Sequence, residues 1–312
     1  MRRAYVMRLR RPTFRGLRTP VATAQQSVRR LVLLGLGATL LAVAVWAGTT
    51  QTFTGQRLAD LILYGRFAAN PAVSGAATET LAAVDLAFAA TAALGLLTLA
   101  LARGGFGLVL GVLAILGGAN LTSQLLKDLL ERPNLIGTAT YAYGNSFPSG
   151  TVTLAASLGF ATILVAPRGL RVLVAVGATV LSAAVGLSTI TTGWHRLADV
   201  VGAILISLAW AGIVTAVLVR AQGWMPRRTW GRGIGGSATT VAGIVGFLAV
   251  VGGAAGLGIA LVDPAPLGDL IRERATTPES YLGALAIAAG TALIASAGYV
   301  WAMRGIALEL PR

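Results

Sequence analysis

The chain has no cysteine and a single histidine, His195, in 312 residues. Without thiols there is no disulfide framework, no cysteine nucleophile and no thiolate metal site. A lone imidazole also excludes a metal centre built from several histidines. Charge is scarce: Asp, Glu, Lys and Arg together make up 12% of the residues, against about 25% in an ordinary soluble domain. So few polar groups cannot cover a water-facing surface, which excludes a soluble enzyme, a secreted disulfide scaffold and a disordered chain. Acidic residues are the scarcer sign, 11 against 25 basic ones, for a formal net charge of +14.

What fills the chain instead is apolar. Hydrophobic residues make up 55% of it and the mean hydropathy is +0.76. Runs of roughly 20 apolar residues match the length of a membrane-crossing helix. They predict an all-α, polytopic membrane helix bundle with eight transmembrane helices. The expected spans are 31–48, 81–102, 106–126, 150–166, 172–192, 197–219, 238–262 and 282–303. The runs are long and lack the period-two alternation of barrel strands. Residues 31–48 outrun the h-region of a signal peptide, typically about 7–15 residues. They are therefore expected to stay as a first helix behind a basic cytoplasmic arm, residues 1–30, which touches anionic lipids. Glycine is abundant, 40 residues, and Gly111, Gly117 and Gly118 suit close helix packing in lipid.

The basic excess has a topological reading. With the N-terminus inside, eighteen Lys and Arg fall on cytoplasmic segments and seven on the opposite side. That is the positive-inside bias, so no nucleic-acid partner is needed to explain the charge. The bias predicts an extracytoplasmic position for the loops around 127–148 and 193–196.

Three polar islands share that face. The first runs from Lys127 through Asp128, Glu131, Arg132 and Pro133 to Asn134. The second is Tyr143-Gly144-Asn145-Ser146-Phe147-Pro148-Ser149-Gly150-Thr151. In it Ser146 is an expected N-cap, Pro148 suits the first helical turn, and Gly150 lets a ligand approach the free N–H groups. Such a helix start is an anion cup, with phosphate its natural guest. The third island runs from Ser188 to Asp199. His195 and Asp199 are four apart and share a helix face. A carboxylate there fixes the imidazole tautomer and stabilises its cation, the logic of an activated nucleophile. Cations, a helix N-terminus, a histidine and a carboxylate together are what phosphoryl transfer requires.

In order and spacing the islands resemble the type 2 phosphatidic acid phosphatase (PAP2) superfamily of integral membrane lipid phosphatases, over roughly residues 80–220. That family shows K-x6-R-P, then P-S-G-H, then S-R-x5-H-x3-D. The third motif reads Ser188, Thr189, five residues, His195, three residues, Asp199; the second reads Pro148-Ser149-Gly150-Thr151. The first begins at Lys127, with its arginine–proline pair two positions early at Arg132-Pro133, while Asn134 and Leu135 hold the matching places. Thr151 stands where the family has histidine and Thr189 where it has arginine.

The resemblance implies a six-helix PAP2-like core within residues 31–220 and two additional C-terminal helices within 221–312. By analogy His195 is the nucleophile, forming a phosphohistidine, and Asp199 orients it. Lys127, Arg132, Ser149, Gly150 and Arg196 would bind substrate phosphate, and position 151 would serve the leaving group. No metal or other cofactor is expected. The implied activity is hydrolysis of a lipid phosphate or diphosphate at the outer face of the cytoplasmic membrane. A head-group phosphotransferase on the same fold, and a non-catalytic lipid-phosphate-binding subunit of an envelope-building complex, are the alternatives. Threonine is a poor acid, so Thr151 favours a leaving group that needs no proton, and hence a polyprenyl diphosphate over a phosphomonoester.

Overall fold

The computed structural model describes residues 20–137, 144–221, 235–262 and 278–306. The described chain is helical: α1 (Pro20–Thr50), α2 (Phe53–Gly65), α3 (Pro71–Ala83), α4 (Leu86–Leu129), α5 (Gly150–Val165), α6 (Arg171–Thr191), α7 (Leu197–Ala221), α8 (Gly235–Val262) and α9 (Pro278–Ala302). Seven segments are long and apolar enough to cross a membrane: Gln25–Thr50, Leu86–Arg103, Gly105–Leu129, Arg168–Thr191, Leu197–Ala221, Ser237–Ile259 and Pro278–Ala302. The eighth expected span is the shorter α5, 16 residues. The fold is a polytopic helical bundle.

Two of the seven spans lie within α4. Gly105, at φ 65° and ψ −163°, interrupts the helix between them, a backbone setting essentially reserved for glycine. The second expected span begins later than residue 81. Asp85 caps α4 by accepting a hydrogen bond from the Phe88 N–H at 2.7 Å, and Leu81 belongs to α3 instead. Hydropathy did not announce α2 and α3. They are 13 residues each, too short to span, and they carry polar residues that lie over the site described below.

α5 and α7 form the centre, buried along most of their lengths. α1 crosses α7 backbone to backbone: a Cβ on Gly212 would stand 2.8 Å from the Leu31 carbonyl, and one on Gly35 3.1 Å from that of Ala209. Gly111 and Gly118 do admit close neighbours, Leu218 and the Trp210 ring, whereas Gly117 faces open space. α9 is built into the bundle. The Tyr299 hydroxyl bonds Thr215 at 2.6 Å, and that of Tyr281 bonds Thr191 at 2.8 Å. α8 rests on α9 through paired glycines.

One end of the bundle gathers basic residues against a buried carbonyl just past the end of α9. Arg168 Nε and Arg171 Nη1 donate to the Ile306 carbonyl at 3.0 and 2.8 Å, cations placed at the negative end of α9. The C-termini of α4 and α6 and the N-termini of α5 and α7 meet at the other end. The arm 1–19, the loop 222–234 and residues 263–277 lie outside the described residues.

Candidate active site

Asp199, in the first turn of α7, is the hub of that second end. It is fully buried. Its Oδ1 accepts from Arg132 Nη2 at 3.0 Å. Its Oδ2 accepts from Ser146 Oγ at 2.6 Å and from the Arg196 N–H at 3.0 Å, and meets His195 Nδ1 at 3.3 Å. Ser146 Oγ in turn accepts from Arg132 Nη1 at 2.8 Å. One carboxylate thus joins all three islands. A buried charge is tolerable only with such complete pairing.

His195 meets Asp199, four residues on, but not from a shared helix face as expected: α7 begins at Leu197, and His195 reaches the carboxylate from the turn before it. Because Nδ1 faces the carboxylate, Nε2 is the ring nitrogen left to face a reactant. The His195 side chain keeps 15% of its accessible surface. Its backbone is set by the turn after α6, where the His195 N–H bonds the Thr189 carbonyl at 3.2 Å. Gly193 makes that turn at φ +76°, in the left-handed region that glycine enters without strain.

The second island differs from its expected capping. Ser149 is the N-cap of α5, its hydroxyl accepting from the Val152 N–H at 3.4 Å, and the helix begins at Gly150. Ser146 is drawn away to Asp199. The reason is a local turn built by Asn145, whose Oδ1 accepts from the Phe147 N–H at 3.1 Å while Nδ2 donates to the carbonyls of Phe147 and Leu126 at 3.0 and 3.2 Å. The Ser149 N–H donates to the Asp199 carbonyl at 3.0 Å, which ties the start of α5 to the start of α7. Tyr143 lies outside the described residues.

Lys127 reaches this helix start. A Cβ on Gly150 would stand 3.1 Å from Lys127 Nζ and 3.4 Å from Gln124 Nε2. An ammonium and an amide therefore converge on the start of α5, where the first N–H groups of a helix lack internal partners. Gln124, one turn before Lys127 at the i−3 position, escaped the sequence reading, although that spacing could have flagged it. Thr151, half-buried in the first turn of α5, flanks the cup. Thr189 stays out of it: its hydroxyl turns back on its own helix to the Gly186 carbonyl at 2.8 Å.

The two cations beyond Lys127 have different stations. α4 ends at Leu129 and the extended Leu130 lets the chain turn back, so Arg132 is buried on Asp199 and Ser146. Arg196 gives its N–H to Asp199 and its side chain to Asp60 of α2, at 3.9 Å. Asp60 is fully buried. Tyr64, one turn on, has its phenol pushed above the ordinary range by burial and by Asp60, and pulled down by Arg196 and Arg66. α2 also grips the first island. Gln56 Nε2 donates to the Pro133 carbonyl at 2.6 Å and its Oε1 accepts from the Leu135 N–H at 3.0 Å. Gln51 Nε2 donates to the Glu131 carbonyl at 2.8 Å. None of these contributions from residues 51–66 was legible beforehand, because a helix of mixed composition far upstream carries no motif. Among the described residues no group of three or more His, Asp or Glu could hold a metal ion.

An apolar cavity of about 460 Å³ adjoins this end, between α1, α4 and α7, with Trp46, Leu126, Leu130, Phe147 and Trp210 in its wall. Leu126 and Leu130 flank Lys127 along α4, and Phe147 precedes the capped start of α5.

The family model described as the PAP2 superfamily matches residues 108–222. The matched stretch, from mid-α4 through α7, is similar to that superfamily and contains every motif residue from Lys127 to Asp199. No curated protein and no solved structure matches the chain.

Proposed function

We propose that the protein is a membrane lipid phosphatase that works through a phosphohistidine on His195. The observation that carries this reading is the join of His195 Nδ1 to the buried Asp199. That carboxylate also fixes Arg132, while its backbone carbonyl fixes the capped helix start beneath Lys127. The match of residues 108–222 to the PAP2 superfamily model supports the reaction class. The apolar cavity beside the cup supports a lipid tail, since a long hydrocarbon is best held in an apolar slot.

In this scheme the cup at Gly150 and Lys127 holds the phosphoryl oxygens and neutralises their charge. His195 Nε2 attacks phosphorus while Asp199 stabilises the imidazolium that forms. The P–O bond to the leaving group breaks, and its electron pair stays on the departing oxygen. Water then takes the phosphoryl group from nitrogen and restores the imidazole. Positioning and charge supply most of the catalysis in phosphoryl transfer. Thr151 gives the departing group no strong acid, which favours a leaving phosphate over an alkoxide. The basic bias at the opposite end supports a site on the outer face of the cytoplasmic membrane, with the N-terminus inside.

The test is phosphate release by the purified full chain from matched prenyl monophosphates and diphosphates. Wild type should release phosphate, and His195→Ala should abolish release together with any acid-labile phosphoenzyme. Unchanged release in His195→Ala ends the hydrolase reading. A new ester in place of free phosphate makes the protein a transferase instead.

A further inference from the structure

A second pocket, of about 440 Å³, lies beside the nucleophile's loop, between the helical turn Arg66–Ala68, α3 and the end of α6. We propose that it is a second anion subsite, in which Arg66 receives the departing phosphate of a lipid diphosphate. This rests on the hydrolase reading and names its substrate class.

Three observations place a cation with spare capacity there. Arg66 Nη1 donates to the Thr192 carbonyl, and its guanidinium lies so close over Gly193 that a Cβ there would collide with it. The charge is thereby held against the backbone two residues before His195. Arg66 makes no ion pair with a carboxylate among the described residues, whereas Arg132 and Arg196 face Asp199 and Asp60. Its Nε is buried without a hydrogen-bond partner. The guanidinium carbon also lies 4.8 Å from the Phe67 ring, which orients the cation without neutralising it. Ser74, Thr78, Thr191 and Thr192 bring hydroxyls to the wall, and Trp194 stands at the rim with 63% exposure. A planar, unneutralised guanidinium surrounded by hydroxyls recognises phosphate oxygens.

The position suits one step. When His195 Nε2 takes the terminal phosphoryl group of a diphosphate, the bond from that phosphorus to the bridging oxygen breaks. The electron pair remains on the bridging oxygen, so the lipid monophosphate gains a negative charge and needs no proton. A cation beside the loop of the nucleophile stabilises that developing charge, and it does nothing comparable for a departing alcohol. In the second step water's oxygen bonds to phosphorus, the N–P bond breaks, and the protons of the water leave with inorganic phosphate or to solvent. Arg66 thus supplies, from outside the motifs, a cation for the diphosphate that Thr189 does not.

The experiment compares wild type, Arg66→Ala and Arg66→Lys on farnesyl diphosphate and farnesyl monophosphate, with phosphate release as the readout. Arg66→Ala should lower kcat/KM on the diphosphate by about tenfold to a hundredfold, the worth of a charge-assisted hydrogen bond. The loss on the monophosphate should be far smaller, and Arg66→Lys should recover part of the selectivity. Equal losses on both substrates would mean that Arg66 only braces the 192–193 turn, and would overturn the proposal. Calorimetric binding of inorganic pyrophosphate and phosphate separates this result from failure of the hydrolase reading. Pyrophosphate should bind wild type the more tightly, and Arg66→Ala should erase that preference. If wild type releases phosphate from neither lipid, the hydrolase reading falls. The subsite then stands on a pyrophosphate preference lost in Arg66→Ala, and falls without it.

Discussion

Asp199 shows how much one residue can organise. A carboxylate with no exposed surface would be costly alone, yet it is shared among Arg132, Ser146, His195 and the Arg196 N–H. Removing one member of such a buried set typically costs about 3–5 kcal/mol, so the network holds three loops as well as one imidazole. Thr151 makes the contrasting point, a position where chemistry is missing rather than supplied. A positioned general acid is worth about 10²–10⁴ in rate. Thr151→His should therefore raise hydrolysis of a prenyl monophosphate by about 10² and leave diphosphate hydrolysis nearly where it was, measured as phosphate release. A rise of equal size on both substrates would assign the proton to another group.

At the scale of elements, glycine decides which helices touch. On α8 and α9, Gly253 faces Gly283, and Gly246 faces Gly290. A Cβ on Gly253 would stand 2.5 Å from the Gly283 carbonyl oxygen, and one on Gly290 2.6 Å from that of Gly246. Both pairs are spaced seven residues apart, two turns on each helix, so the contact is a continuous seam of small residues. Gly253→Leu should force α8 off α9 and lower the midpoint of thermal unfolding in detergent, as overpacking by about 1–3 kcal/mol does. Its neighbour Gly252 has open space where a Cβ would go, so Gly252→Leu should leave the midpoint near that of wild type. Equal effects at the two positions would deny the seam. α2 acts differently, by polar grip: Gln56, with Gln51 from the turn before the helix, holds the first island, while Asp60 faces Arg196 of the third.

Across the whole molecule, the two ends of the bundle differ in charge. Arg168, Arg171 and Arg304 cluster around the end of α9, and the acidic partners Asp60 and Asp199 lie at the site end. On the proposed orientation, with the basic loops inside, the site faces outward. The absence of cysteine makes this directly measurable. In intact cells, Glu131→Cys, at the exposed end of the first island, should react with an impermeant maleimide. Gly169→Cys, on the exposed turn before α6, should react only after the membrane is permeabilised. The reverse pattern would invert the orientation.

The sequence by itself determined the helix class, the eight apolar segments and the break near residue 105, because lipid demands long, internally bonded apolar helices and little else satisfies that demand. It also brought His195 within reach of Asp199 and marked a helix start near Gly150, since a four-residue separation and a capping serine are local properties. Tertiary structure alone decided the rest. That Ser146 serves Asp199 while Ser149 caps α5, and that Arg132 turns inward, depend on which helix ends meet. The contributions of Gln56, Asp60 and Arg66 come from a helix and the turn after it, more than sixty residues before the first motif. No local pattern encodes such a contact: it exists only because packing brings α2 and the turn after it against the segments that follow α4 and α6.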